Sequence, residues 1–171
     1  PAIIIILILS TTSWLEPILF LSAIGVSVVV NMGTNIIFPH ISFITNSMLF
    51  VLQLAISLDY SIFLLHRFSE ERSNGLDIAP AMERAIEKSI SSILSSSLTT
   101  VAGFAALILM RFSIGKDIGL VFSKGILITL ICVIFLFPAI IIFFAKPIEK
   151  LHHRSFLPSF RGLGRLAYKL R

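Results

Sequence analysis

Charged residues are scarce in this chain. Only 13% of its 171 residues are Asp, Glu, Lys or Arg, about half the share of a soluble domain. Cysteine is almost absent too. The single Cys132 excludes an internal disulfide and a cysteine-rich metal site, and within an apolar run it reads as a small hydrophobe. Gly-rich phosphate loops, HExxH and GxSxG are all missing. The four histidines, at 40, 66, 152 and 153, fall in predicted loops or at the ends of apolar runs. His152-His153 lacks further ligand-type residues at metal spacing. No metal or cofactor is expected, and the chain reads as a non-enzyme. A pI near 9.8 would suit nucleic acid. The basic residues, however, gather at the ends of apolar blocks, where membrane topology puts them, so nucleic acid is rejected as a partner.

What the chain has is apolar sequence in long blocks: 56% hydrophobic residues and a mean hydropathy of +0.98. Blocks of about twenty apolar residues fit transmembrane helices, since barrel strands need about ten with strict alternation. The fold class expected is therefore an all-α integral membrane protein, a helical bundle with membrane lipids around it.

Residues 1–9 are apolar but would cover only about 14 Å as a helix, roughly half a bilayer. They read as the end of a span whose beginning is missing, which would make the chain a fragment. Trp14 is an expected interfacial anchor. Complete spans are expected over residues 17–37, 44–66, 89–110 and 119–145, with Pro17 in the first turn of one and Pro138 kinking another. Asn31, Gly33 and Asn35 are expected to loosen the far end of the 17–37 span. Asn74-Gly75 signals a helix stop and Asp77 an N-cap, with Pro80 tolerated in the first turn. Residues 77–88 have one apolar and one charged face, and the expectation is a cytoplasmic amphipathic helix lying along the membrane surface. Residues 146–171 form a basic tail or linker. Arg67, Arg72, Arg84, Lys88 and the basic tail set the cytoplasmic side; Arg111, Lys116 and Lys124, an interfacial snorkelling residue, lie toward the other.

One acid stands inside a span. Asp59 interrupts Met48-Leu-Phe-Val-Leu-Gln-Leu-Ala-Ile-Ser-Leu-Asp59-Tyr60-Ser-Ile-Phe-Leu-Leu65. A carboxylate at such a depth costs roughly 2.5–3.5 kcal/mol on insertion scales, so it needs a partner, water or work involving protons or cations. Asn46, Gln53, Tyr60 and Arg67 recur every seven residues and share a face, with Ser57, Asp59 and Ser61 beside it. For Gln53 and the serines the ordinary reading, hydrogen-bonding between helices, is favoured. It fits Asp59 poorly, because an amide would serve with less desolvation. The next span carries Ser89, Ser91, Ser92, Ser95, Ser96, Ser97, Thr99, Thr100 and Gly103. Small residues spaced by four suit close packing of helices, and their hydroxyls could also relay a proton or solvate a facing carboxylate.

These residues carry a resemblance. Leu-Asp59-Tyr60-Ser-Ile-Phe-Leu-Leu-His-Arg67-Phe-Ser-Glu70-Glu71 is similar to the Asp-Tyr segment of the MMPL branch of the resistance-nodulation-division (RND) transporters. Ala81-Met-Glu-Arg-Ala85, Ser97-Leu-Thr-Thr100-Val-Ala-Gly103-Phe104 and Phe137-Pro138-Ala139 resemble later parts of the same half. The resemblance implies an exporter driven by the proton-motive force, multi-pass in the cytoplasmic membrane of a bacterium. Its two pseudo-repeated halves have six spans each, and this chain would hold the latter part of one, the N-terminal half. Asp59 and Tyr60 are the expected proton-coupling residues, and Gln53, Ser96, Thr99, Thr100 and Gly103, from the polar stripe and the small-residue spacing, the expected polar or packing support. The missing second half of the transporter would face Asp59, and a hydrophobic or lipid substrate is in keeping with the family. The competing expectation is a non-transporting membrane domain of the same fold, sensing lipid or sterol or assisting protein export. An intramembrane aspartyl protease needs two carboxylates in one site. The other candidate acid, Asp117, is expected at the opposite membrane face.

Overall fold

A computed structural model describes residues 16–37 and 41–150. The half-span expected over residues 1–9, Trp14, Pro39, His40 and the tail beyond 150, with His152 and His153, lie outside the described residues. Leu19–Ala145 forms one compact unit.

The described residues form an all-α bundle. Helix α1 covers Glu16–Thr34 and ends in a 3₁₀ turn, Asn35–Ile37. Helix α2 covers Phe43–Ser73, α3 Ile78–Leu107 and α4 Ser113–Ile131. A π turn, Cys132–Leu136, joins α4 to α5, Phe137–Lys150. Four stretches are long and apolar enough to cross a membrane: Glu16–Ile37, Phe43–Ser73, Ile78–Leu107 and Ser113–Ala145.

Local chemistry sets the boundaries. The Ser42 hydroxyl accepts from the Ile44 N–H at the start of α2. At its other end Gly75 takes φ +89°, a conformation that a Cβ disfavours. The Leu76 N–H reaches the Glu71 carbonyl and the Gly75 N–H that of Arg72, a Schellman stop. Asp77 stands at the N-cap of α3, but its side chain makes no cap bond. The irregularity expected at Pro138 takes the form of the π turn. The Phe137 N–H bonds back to the Cys132 carbonyl, and the ring that follows has no N–H to give.

The sequence predicts a surface-lying helix at 77–88 and a separate span after it. In the structure both belong to α3, an unbroken helix of 30 residues. Met82 and Ala85, on the apolar face expected to lie on the membrane, are buried inside the protein at 1% and 0% exposure, as is the adjoining Ala81. The charged face pattern arises because one side of the helix packs in the bundle. At 31 residues, α2 is about 46 Å long, longer than the roughly 30 Å hydrocarbon layer. The Asn74-Gly75 hairpin therefore lies beyond the apolar part of both helices.

Helix α4 packs against both α2 and α3, and α2 packs against α3. Leu49 of α2 meets Val121 and Phe122 of α4 at the core, with Leu52, Phe104 and Ile118 against them. Phe104 and Phe122 stack edge to face at 5.1 Å. The helices α3 and α4 come close at Gly119, where a Cβ would lie 2.7 Å from the Phe104 carbonyl oxygen. Helix α1 joins the bundle through longer side chains, among them Phe20, whose ring centre is 4.9 Å from that of Phe137.

Candidate functional site

The polar stripe of α2 divides into two environments. Gln53 and Tyr60 face inward at 3% and 6% exposure, while Asn46 and Arg67, toward the helix ends, are partly exposed. Asp59, one residue round the helix from Tyr60, is exposed and points away from the core.

Gln53 ties three helices. Its Nε2 donates to the Ser27 carbonyl at 3.0 Å and to Thr129 Oγ1 at 3.2 Å. Its Oε1 accepts from Asn31 Nδ2 at 2.9 Å. Hydrogen-bonding between helices, the reading favoured for Gln53 on its residue type, is what the geometry displays. Asn31 departs from expectation. It is fully buried and binds α1 to α2 instead of loosening the end of α1. Gly125 makes room for it: a Cβ at 125 would lie 2.5 Å from Asn31 Nδ2. Lys124 Nζ donates to the Asn31 carbonyl at 3.1 Å and to Asn35 Oδ1. The cation thus sits at the C-terminus of α1, where open carbonyls favour positive charge.

The surroundings of Asp59 are different. Asp59, Tyr60 and Phe63 of α2 and Ser92, Ile93 and Ser96 of α3 line a cavity of about 180 Å³. That volume holds several waters, and the serine hydroxyls can bond to them. Among the described residues, no hydrogen bond or ion pair engages Asp59. Arg67, on the neighbouring stripe, pairs with Glu70 at 2.9 Å and lies over the Phe63 ring, 5.6 Å from its centre. No fixed cation among the described residues therefore neutralises Asp59.

The hydroxyl-rich helix distributes its groups unevenly. Ser96 shares the cavity with Asp59, as does Ser92. The Thr99 and Thr100 hydroxyls donate to the Ser95 and Ser96 carbonyls of their own helix. Gly103 is exposed and has no neighbour within 4 Å of where a Cβ would stand. Thr99, Thr100 and Gly103 are thus not brought to the cavity. Helix α3 as a whole is the least covered: 11% of its most apolar stretch is buried, against 39% in each of the other three spans. Ser61 and Ser89 are buried with unpartnered hydroxyls.

Sequence reasoning missed Asn31, Ser27 and Thr129 as partners of Gln53, and also Gly119 and Gly125. The partnership depends on three helices meeting at one depth, which no single-helix periodicity shows. The glycines could have been suspected from their spacing of six on one span, a weak signal.

Comparison with known proteins places these features in a family. A protein of Methanocaldococcus jannaschii described as a membrane protein is 33% identical over 109 residues, covering 64% of this chain and 27% of that protein. The membrane protein ActII-3 of Streptomyces coelicolor is 29% identical over 102 residues, 60% of this chain and 14% of its own length. A Mycobacterium leprae protein described as "Probable trehalose monomycolate exporter MmpL3" is 24% identical over 119 residues, 70% of this chain and 12% of that protein. The chain therefore spans about a quarter or less of the length of these relatives. The MMPL family profile matches residues 2–159, which takes in every described helix and the Asp59 cavity, and the chain belongs to the MMPL family of RND-type membrane proteins.

Proposed function

We propose that this chain is part of the membrane portion of an exporter driven by the proton-motive force, and that Asp59 is the carboxylate that couples proton movement to transport. The observation that carries the reading is the cavity that Asp59 shares with Tyr60, Ser92 and Ser96. Hydroxyls beside an acid support a polar setting for it, and an acid serving as glue would be bonded as Gln53 is, which Asp59 is not.

Coupling follows from a change of surroundings. Water or a facing cation stabilises the ionised carboxylate; a dry wall stabilises the neutral acid. A rearrangement that alternates these two settings takes up a proton on one side and gives it up on the other. The open faces of α2 and α3 suit a second half of the transporter as the wall that moves. Met48, Val51 and Ala55 lie exposed on α2 with Asp59. Tyr60, which lines the same cavity but is buried, would hydrogen-bond a group of the partner only if that group reached into the cavity. Thr99, Thr100 and Gly103 would then pack against the same partner. The export of a lipid named for the Mycobacterium leprae relative supports a hydrophobic or lipid substrate here.

The test uses the full-length protein in proteoliposomes, with export of a fluorescent lipid driven by an imposed pH gradient. Wild-type export collapses on adding an uncoupler, Asp59→Asn exports at background, and Asp59→Glu keeps part of the activity. Uncoupler-sensitive export by Asp59→Asn would overturn the reading. Lipid binding with no export by wild type would favour the non-transporting alternative.

A further inference from the structure

Another acid on α2, Glu71, is buried where Asp59 is exposed. Glu71 lies twelve residues beyond Asp59, about 18 Å along the helix, and its side chain is 2% exposed. A glutamate is almost never so deeply covered unless it is paired. Its Oε1 accepts a hydrogen bond from Lys88 Nζ of α3, whose side chain is 53% exposed. Arg84 of α3 and Arg67 of α2 add their charge to the same carboxylate. The pair is thus a covered acid reached from outside by a flexible cation. It contrasts with Arg67–Glu70, exposed at 41% and 53% and confined to one helix, a kind worth little.

Its place on the two helices gives it a consequence. Lys88, Ser92 and Ser96 are one turn apart on α3, and Tyr60 and Glu71 are three turns apart on α2, so each set shares a face. The ion pair therefore joins the two helices between the Asn74-Gly75 turn and the Asp59 cavity. Met82 and Ile93 are the larger buried side chains that α3 brings to the bundle, and the other buried residues of this helix are small. Ala81, Ala85, Ser89 and Ser97 of α3 are small and fully buried. The Ser61 and Ser89 hydroxyls have no partner, and that of Ser97 donates to Ile93 of its own helix. Small residues permit close approach but also permit sliding. A slip of one residue moves α3 by about 1.5 Å and turns its face by about 100°, enough to take Ser92 and Ser96 from Asp59.

We infer that Glu71 and Lys88 are positioning residues: their ion pair sets the register of α3 on α2 and so holds Ser92 and Ser96 opposite Asp59. The importance of that register for transport rests on the coupling role proposed for Asp59; the register itself does not.

The experiment uses the full-length protein in membranes, with Cys132→Ser and cysteines at Phe63→Cys and Ser96→Cys, both of which line the cavity. Copper-phenanthroline oxidation should join them readily when Glu71 and Lys88 are present. Lys88→Met should slow the joining by about tenfold, because a buried charge loses its mate. Lys88→Arg, which keeps the charge, should restore it. Lys88 is half exposed, so its variants are expected to fold, and size-exclusion elution in detergent checks this. Glu71→Gln should reproduce the loss while keeping side-chain shape. Unchanged joining in folded Lys88→Met overturns the inference, and so does a loss that Lys88→Arg fails to restore. Asp59→Asn with the ion pair intact should join at the wild-type rate. Export surviving in Asp59→Asn would remove the coupling role and leave the register result standing.

Discussion

At the residue scale, the chain contains two intramembrane polar sites with opposite characters. Gln53 is fully engaged with Ser27, Asn31 and Thr129, and engaged amides hold helices together. Replacing it by Leu leaves Asn31 and Thr129 without a partner in a buried setting, at a cost of about 1–3 kcal/mol for each unsatisfied group. Gln53→Leu should therefore lower the thermal unfolding temperature in detergent, and an unchanged temperature would show the network to be slack. Gly125→Ala attacks the same place from α4, since the new methyl would meet Asn31 Nδ2 at 2.5 Å. It should cost about 1–3 kcal/mol, as overpacking does. By contrast Gly103→Ala, with nothing near its Cβ position, should leave the isolated bundle unchanged in the same assay. Asp59 has no such network, and its substitution is expected to affect transport and not folding.

Elements add constraints that no residue carries alone. The helices α2 and α3 are each longer than the hydrocarbon layer of a bilayer is thick, and Glu71 and Lys88 join them near the Asn74-Gly75 turn. The hydrogen bond from Lys88 holds the Glu71 carboxyl below the ordinary glutamate range. Burial opposes this, and the charges of Lys88, Arg84 and Arg67 reinforce it. A carboxyl lowered in the folded state adds stability above its unfolded value and loses it as pH falls through the folded value. The α2–α3 hairpin should therefore loosen only in acid, below the usual carboxylate range. Hydrogen exchange of residues 71–88, compared at neutral pH and in that range, should show protection lost in the wild type. In Glu71→Gln it should already be reduced at neutral pH, and equal protection in both proteins at both values would contradict this.

The extent of each element was only partly legible. The spans could be read from hydropathy because lipid demands apolar blocks, and the Asn74-Gly75 stop from turn chemistry. The continuity of α3 could not. An amphipathic stretch looks the same whether its apolar side meets lipid or a neighbouring helix, and Ala81, Met82 and Ala85 meet protein. Asp59 was legible as an anomaly of composition, and Ser92 and Ser96 as members of a hydroxyl stripe. Their sharing of one cavity, without Thr99 or Thr100, depends on the register between two helices.

At the scale of the whole molecule, the bundle is unevenly finished. Three spans are covered to the same degree, and α3, which faces the Asp59 cavity, is left largely bare. A helix carrying so many hydroxyls is poorly suited to lipid, so in this account a further protein surface covers it. The four spans alone should show no substrate flux in proteoliposomes, and measurable flux would mean that no second half is needed.

The central claim is that Asp59 exchanges protons within the membrane. Carbodiimides modify carboxyl groups that carry a proton in apolar surroundings, so labelling of the full-length protein in membranes, mapped by peptide mass spectrometry, reads this directly. The account predicts an adduct on Asp59 that declines as pH is raised and is absent in Asp59→Asn. An Asp59 that stays unmodified at every pH at which the protein remains folded would contradict it.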